Sequence, residues 1–248
     1  MNKLDKSEWF ESWFDSKYYH LLYNNRDEQE AENFINKLLA HLNLPAHSAI
    51  LDLGCGKGRH SSQLFKNNHK VHGIDLSKES IDYANENYGQ ENLSFSKGDM
   101  RDSFGKDIYN CVMNLFTSFG YFQDIFENEK VINNVSQSLH PKGIFVQDFF
   151  NADWVKSTLK ISEVQKRGDT VFKISRKIED GFVKKLIQFE TKNKAFSFQE
   201  EVRLLSLNDF KSMYLNQGLE IIDIFGSYDL ENYDTQKSQR LILISQCK

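Results

Sequence analysis

The 248-residue chain predicts an α/β fold: a mainly parallel seven-stranded sheet with helices on both faces, interrupted by an antiparallel β insert. Three observations carry this. From Ala49 to Phe149, short apolar runs rich in β-branched and aromatic residues alternate with polar stretches of helical period, as in strand–helix–strand units whose strands run parallel. The first of these runs ends in a glycine-rich turn, Gly54-Cys55-Gly56-Lys57-Gly58, that leads straight into a helical stretch. Further on, Asp180-Gly181 separates two alternating runs, a strong hairpin signal.

Taken in order, Trp9 and Trp13, and Phe10 and Phe14, stand four apart, the spacing of a helix packed on the core. Tyr18, Tyr19, Tyr23 and Arg26 follow in a stretch of mixed character. Residues 28–43 form a helix with Ala31, Phe34, Ile35, Leu38, Leu39 and Leu42 on one face and Asp27 as its cap. Strands are predicted at Ala49–Leu53, Lys70–Asp75, Leu93–Lys97, Ile108–Asn114 and Gly143–Phe149. Between them lie a helix from about Gly58 carrying Leu64 and Phe65, one capped by Ser77 with Ile81 and Ala84 inside, and one starting at Asp124. In the last, Glu127 sits three residues on, as in a capping box, and Ile125, Val131, Ile132, Val135 and Leu139 are buried.

Residues 163–205 break the pattern. Val171–Ile178 and Phe182–Glu190 read as part of a half-buried antiparallel sheet of about three strands. Its apolar face, with Phe172, Ile174, Ile178, Phe196 and Phe198, is expected to pack on the core or on a second subunit. The core resumes with a helix opened by Ser206 and Asp209 and stopped by Gly218. Two strands, Leu219–Phe225 and Leu241–Ser245, complete the main sheet; the long loop between them, with Tyr228 and Asp229, lets the last return antiparallel. The expected organisation is a helical cap or lid at 1–47, a core at 48–162, the insert at 163–205 and the rest of the core at 206–248.

Composition narrows the function. With 40% hydrophobic residues the chain has material for a core, which excludes wholesale disorder. A net charge of −4 argues against a nucleic-acid backbone as main partner. The N-terminus has no apolar signal-peptide segment, and no run approaches about 18 apolar residues. Cys55, Cys111 and Cys247 make neither a disulfide framework nor a zinc pair. A cytoplasmic protein without metal and without membrane contact is expected.

The chemistry concentrates at Ala49–His60. Glycines let a backbone pass close to a ligand, and the following helix start offers free N–H groups. Asp75 ends the next strand, about 20 residues on, where an acid accepts ribose hydroxyls. The glycines fall at 54, 56 and 58, one place short of a dinucleotide fingerprint. Asp52, inside the strand, would repel a pyrophosphate and suits an ammonium or sulfonium ligand.

Asp52-Leu53-Gly54-Cys55-Gly56-Lys57-Gly58 with Gly73-Ile74-Asp75-Leu76-Ser77 resembles the class I S-adenosylmethionine-dependent methyltransferases, in their small-molecule branch (methyltransferase domain 25-like). Gly98-Asp99-Met100-Arg101, the segment Asn114–Phe122 and Leu139-His140-Pro141-Lys142-Gly143 match further family segments in order. The resemblance implies a Rossmann-like sheet, S-adenosylmethionine as cofactor, S-adenosylhomocysteine as product, and a small-molecule nitrogen or oxygen acceptor. It implies that Gly54, Cys55 and Gly56 pass the methionine portion, that Asp75 takes the ribose, and that Leu76, Asp99 and Met100 hold the adenine. Asn114 and Phe116 line the methyl end, with Asp52 and His60 nearby; Tyr19 or Arg26, from the N-terminal segment, meets the carboxylate. Tyr121 and Asp148 are the catalytic candidates. Lys57 is read as solvent-facing, His72 as packed and His140 as structural. The insert resembles a capping sheet that sometimes makes dimers, so a monomer or homodimer is expected. The alternatives are a cofactor-binding protein without turnover and a nicotinamide-dependent oxidoreductase.

Overall fold

The computed structural model describes residues 8–23, 28–191 and 193–248; Arg26 and Asp27 lie outside the described residues. The main sheet has seven strands: β1 (Ala49–Leu53), β2 (Lys70–Asp75), β3 (Leu93–Lys97), β4 (Tyr109–Asn114), β5 (Leu139–Phe150), β10 (Leu219–Phe225) and β11 (Arg240–Cys247). Their order is β10-β11-β5-β4-β1-β2-β3. Neighbours from β3 across to β5 are parallel, and β11 is antiparallel to both β5 and β10. The strand order reverses between β1 and β4, so the ends of these two strands diverge and leave the crevice in which such sheets take ligands.

Both faces are covered, which is why the central strands read as nearly continuous apolar runs. On one side α3 (Glu28–Leu42), α4 (Arg59–Lys66) and α5 (Lys78–Tyr88) bury Phe34, Ile35, Leu38, Leu64 and Ile81 against Ile50, Cys111 and Val146. On the other, α6 (Ile125–Ser138) and α8 (Leu207–Asn216) bury Val131, Ile132, Phe210 and Tyr214 against Leu51, Val112 and Phe145. Adjacent residues of β1 and β4 thus serve opposite faces. The Ser206–Asp209 capping box forms as expected. At α6 the expectation is half met: Asp124 accepts from the Phe126 N–H, but the Glu127 carboxylate takes a bond from Arg101 instead. Leu139, expected in that helix, opens β5.

The insert has four strands rather than three: β6 (Ser162–Arg167), β7 (Thr170–Glu179), β8 (Phe182–Thr191) and β9 (Lys194–Arg203), in sequential antiparallel order. A short helix, α7 (Ala152–Thr158), precedes it. Its apolar face is buried not on the core sheet but under the N-terminal helices of the same chain. Phe172, Ile174, Ile187 and Phe189 cluster with Trp13 and Leu22 of α1 (Trp9–Phe14) and α2 (Lys17–Leu22). Trp13 lies 4.5 Å from the Phe198 ring and donates its indole N–H to Glu200 at 2.7 Å. Ile178, on the same face near the hairpin turn, is exposed; the face runs on beyond the two helices that cover it.

Candidate functional site

At the diverging ends of β1 and β4 lies a cavity of about 390 Å³, within the ~300–1,000 Å³ of small-molecule sites. One wall is the turn after β1 with the start of α4: Gly54, Cys55, Gly56, Lys57, Arg59 and His60. The ends of β2 and β3 supply Asp75, Leu76, Asp99 and Met100, and the segment after β4 supplies Leu115, Phe116, Ser118, Tyr121 and Phe122. The roof is α1 and α2, through Phe10, Phe14, Tyr19 and His20, with Tyr23 just beyond. A ring contact at 5.3 Å between Phe14 and Tyr121 joins roof to wall, and one at 5.1 Å between Phe14 and Tyr19 joins the two roof helices.

The glycines have different tasks. Gly54 adopts φ +77°, and a Cβ there would stand 2.6 Å from Ser118 Cβ, so a side chain would force apart the turns after β1 and β4. Gly56 also has a left-handed φ, and a Cβ on it would meet nothing within 4 Å: there the backbone borders open space. The Gly56 N–H donates to Asp75 Oδ2 at 2.8 Å, and the Ser77 N–H donates to Oδ1 at 2.8 Å. The Asp75 carboxylate is thereby fixed at the cavity wall.

Other expected site residues stand behind the wall. Asp52 is buried and accepts from Ser61 Oγ at 2.6 Å; burial above all, opposed by that bond, pushes its carboxyl up to about 6. Asn114 is also buried; its amide donates to the carbonyls of Leu53 at 2.6 Å and Ser118 at 3.0 Å. It ties the ends of β1 and β4 together and does not line the cavity. Asp148 is fully buried, ion-paired with Arg240 at 2.6 Å, and accepts from the Phe116 N–H at 2.8 Å. Placed behind the post-β4 turn, it does not border the cavity. Tyr121 does, and its hydroxyl donates to the Thr117 carbonyl at 2.7 Å. Asp99 reaches the wall, but Arg101 binds both its oxygens, with the shortest contact at 2.6 Å. Burial opposes ionisation of Asp99, but these bonds outweigh it and hold the carboxyl below its usual range.

Residues 45–205, more than half of the chain, match the family model described as a methyltransferase domain. The chain belongs to this methyltransferase family. The dTDP-3-amino-3,4,6-trideoxy-alpha-D-glucopyranose N,N-dimethyltransferase of Streptomyces venezuelae is 26% identical over 168 residues, covering 66% of this chain and 69% of that one. Among solved structures, the CcbJ methyltransferase of Streptomyces caelestis superposes with a TM-score of 0.79 at 16% identity, over 96% of this chain and 98% of its own. An S-adenosylmethionine-dependent methyltransferase of Clostridium acetobutylicum gives 0.78 at 19% identity, over 93% and 96%. These two likenesses establish the shared fold.

Several cavity residues of the methyltransferase carried no role from sequence alone. Lys57, expected to face solvent, is only half-exposed and borders the cavity with its ammonium 4.7 Å from the Tyr83 ring centre; burial, opposed by Glu79, lowers its pKa. Arg59 lies 5.5 Å from the centre of the Phe116 ring. Arg101 gathers Asp99, Glu127 and Glu8, the last at 2.6 Å, and so ties the start of α1 to the end of β3. His72 is packed as expected, between Tyr109 and Ser96 at 2.9 and 2.7 Å. Among the described residues no group of three or more His, Cys, Asp or Glu is arranged to hold a metal ion. No described helix is long and apolar enough to cross a membrane.

Proposed function

We propose that this methyltransferase moves the methyl group of S-adenosylmethionine to a nitrogen of a small-molecule amine, releasing S-adenosylhomocysteine. The observation that carries the reading is the Gly54–Gly56 turn, open toward the cavity, with the Asp75 carboxylate pinned beside it. The cradle has room where a methionine portion has to pass, an acid where ribose hydroxyls need an acceptor, and apolar Leu76 and Met100 where an adenine ring needs a surface.

When bound, the cofactor supplies a sulfonium-activated methyl group. The chain's own part is alignment and exclusion of water, which together supply most of the rate in a displacement of this kind. Aromatic faces attract a sulfonium or an ammonium, and Phe14, Tyr19, Phe116 and Tyr121 enclose one end of the cavity. Tyr121, its hydroxyl committed to Thr117, is assigned to this wall rather than to proton transfer. An amine acceptor has to arrive neutral; His20 and His60 border the cavity, and imidazole is the side chain that ordinarily exchanges a proton near neutral pH. An amine is favoured over a hydroxyl because the Streptomyces relative is an amino-sugar N,N-dimethyltransferase and because the buried Asp148 carboxylate near the post-β4 turn is already committed to Arg240. A cytoplasmic setting belongs to the same reading, supported by Cys55, Cys111 and Cys247 as free thiols.

Calorimetric titration with S-adenosylmethionine and S-adenosylhomocysteine tests the site. Asp75→Ala should weaken binding by about 1.5–3 kcal/mol, the value of hydrogen bonds to a charged group. A wild-type chain that binds neither nucleoside refutes the reading. With binding established, release of S-adenosylhomocysteine against paired amine and alcohol panels separates nitrogen from oxygen acceptors.

A further inference from the structure

Phe116 and Thr117, directly after β4, both adopt the left-handed backbone region, with φ of +61° and +63°. Two consecutive non-glycine residues there are uncommon, and a β-branched threonine is a real outlier. Such strain persists only where the surroundings over-determine it, and it gathers at functional sites. The surroundings here are specific. The Phe116 N–H donates to Asp148 Oδ2 at 2.8 Å and the Thr117 N–H to the Asp148 carbonyl at 3.0 Å. Arg240, the first residue of β11, donates from Nε to Asp148 Oδ1 at 2.8 Å and from Nη2 to Thr117 Oγ1 at 2.9 Å. Tyr228 donates its hydroxyl to Asp148 Oδ2 at 3.2 Å. The bonds of this ion pair converge on the turn.

A buried ion pair is weak evidence for stability, because well-packed apolar residues do as well or better. A pair that points a planar guanidinium fork at both a carboxylate and a strained threonine does something an apolar pair cannot. We propose that Asp148 and Arg240 are positioning residues for methyl transfer: they hold Phe116–Thr117 left-handed and so place the Phe116 ring in the cavity wall. The proposal rests on the cavity being the S-adenosylmethionine site. It assigns Asp148 a role through Phe116 and not as a base, and it brings in Arg240 and Tyr228, neither of which borders the main cavity.

The test uses the fact that glycine takes a left-handed φ without strain. Arg240→Ala should lower S-adenosylhomocysteine affinity by about 3- to 30-fold, the range for residues that act on a site through others, and should lower Tm because Asp148 is left without its partner. Adding Thr117→Gly should return most of the affinity while Tm stays low, since the turn then no longer needs Arg240 but Asp148 still does. Should Arg240→Ala fail to fold, Thr117→Val removes only the bond from Arg240 and should reduce affinity in the same direction. Amide exchange at Phe116 and Thr117 should quicken in each weakened variant. Unchanged affinity in a folded Arg240→Ala or in Thr117→Val, or an affinity loss that glycine at 117 does not recover, overturns the positioning role alone. A wild-type chain that does not bind S-adenosylhomocysteine overturns the cofactor reading and this role with it.

Discussion

Asp52 sits behind the glycine turn with its carboxyl pushed up to about 6 by burial. A folded-state pKa above the ordinary 3.8 means that the native chain holds a proton the unfolded chain gives up. Its contribution to stability is full in acid below about pH 4 and is lost as pH rises through 6. Asp52→Asn removes the ionisable group and keeps an acceptor for Ser61. A carboxyl raised this far above its ordinary value costs the native state about 3 kcal/mol once both states are ionised. Urea melts at pH 8 should therefore find the variant more stable than wild type by about 2–3 kcal/mol, with the gain shrinking toward zero near pH 4. A gain independent of pH would show that folding does not raise the Asp52 pKa.

α1 and α2 are too short to be stable alone; they persist because they are shared between two sheets. Trp13 fills the insert's apolar face and is fully buried, while Trp9 and Phe10 pack on Tyr121 and Phe122 after β4. Asp15 adds a polar tie, accepting from the Ser77 hydroxyl at 3.0 Å and the Glu79 N–H at 2.9 Å. Trp13→Ala deletes a large buried ring and leaves Glu200 without its indole donor. A loss of about 3–5 kcal/mol is expected, measured by denaturant unfolding of the apo protein. At the end of α2, Tyr23 donates to the same Glu200 at 2.7 Å and Leu22 is buried. A loss in Trp13→Ala below about 1 kcal/mol would show that the helices cover the insert without stabilising it.

Across the whole molecule, the cavity is built from parts that are distant in the chain: strand ends of the main sheet, the N-terminal helices, and, behind α1 and α2, the insert. Anything that binds there bridges these parts and stabilises the assembly by mass action. S-adenosylhomocysteine at a hundred times its Kd should add about 2.7 kcal/mol, and for a chain of this size a Tm rise of roughly 5–10 °C. No rise in Tm with increasing ligand concentration would show that the native chain does not bind S-adenosylhomocysteine. The insert's apolar face is already covered within one chain, so its burial needs no second subunit.

Local chemistry determined much of this protein in advance. Alternation of short strands with helical stretches identified the parallel sheet, because both periods are written in consecutive residues; the glycine turn and Asp75 were legible for the same reason, a few residues carrying their own backbone requirement. The hairpin at Asp180-Gly181 and the cap at Ser206 belong with them. What only the tertiary structure decided involves pairs far apart in the chain. Arg240 meets Asp148 across 92 positions and Trp13 meets Glu200 across 187, and nothing in either neighbourhood announces the other. For that reason Asp148 read as a catalytic candidate near the end of a strand, while the structure shows it buried and paired with an arginine. The insert's apolar stripe showed that something must cover it, since period-two alternation records only that one face avoids water; which element supplies the cover depends on where the N-terminal helices come to rest, and that is settled by packing between segments, not by the stripe itself.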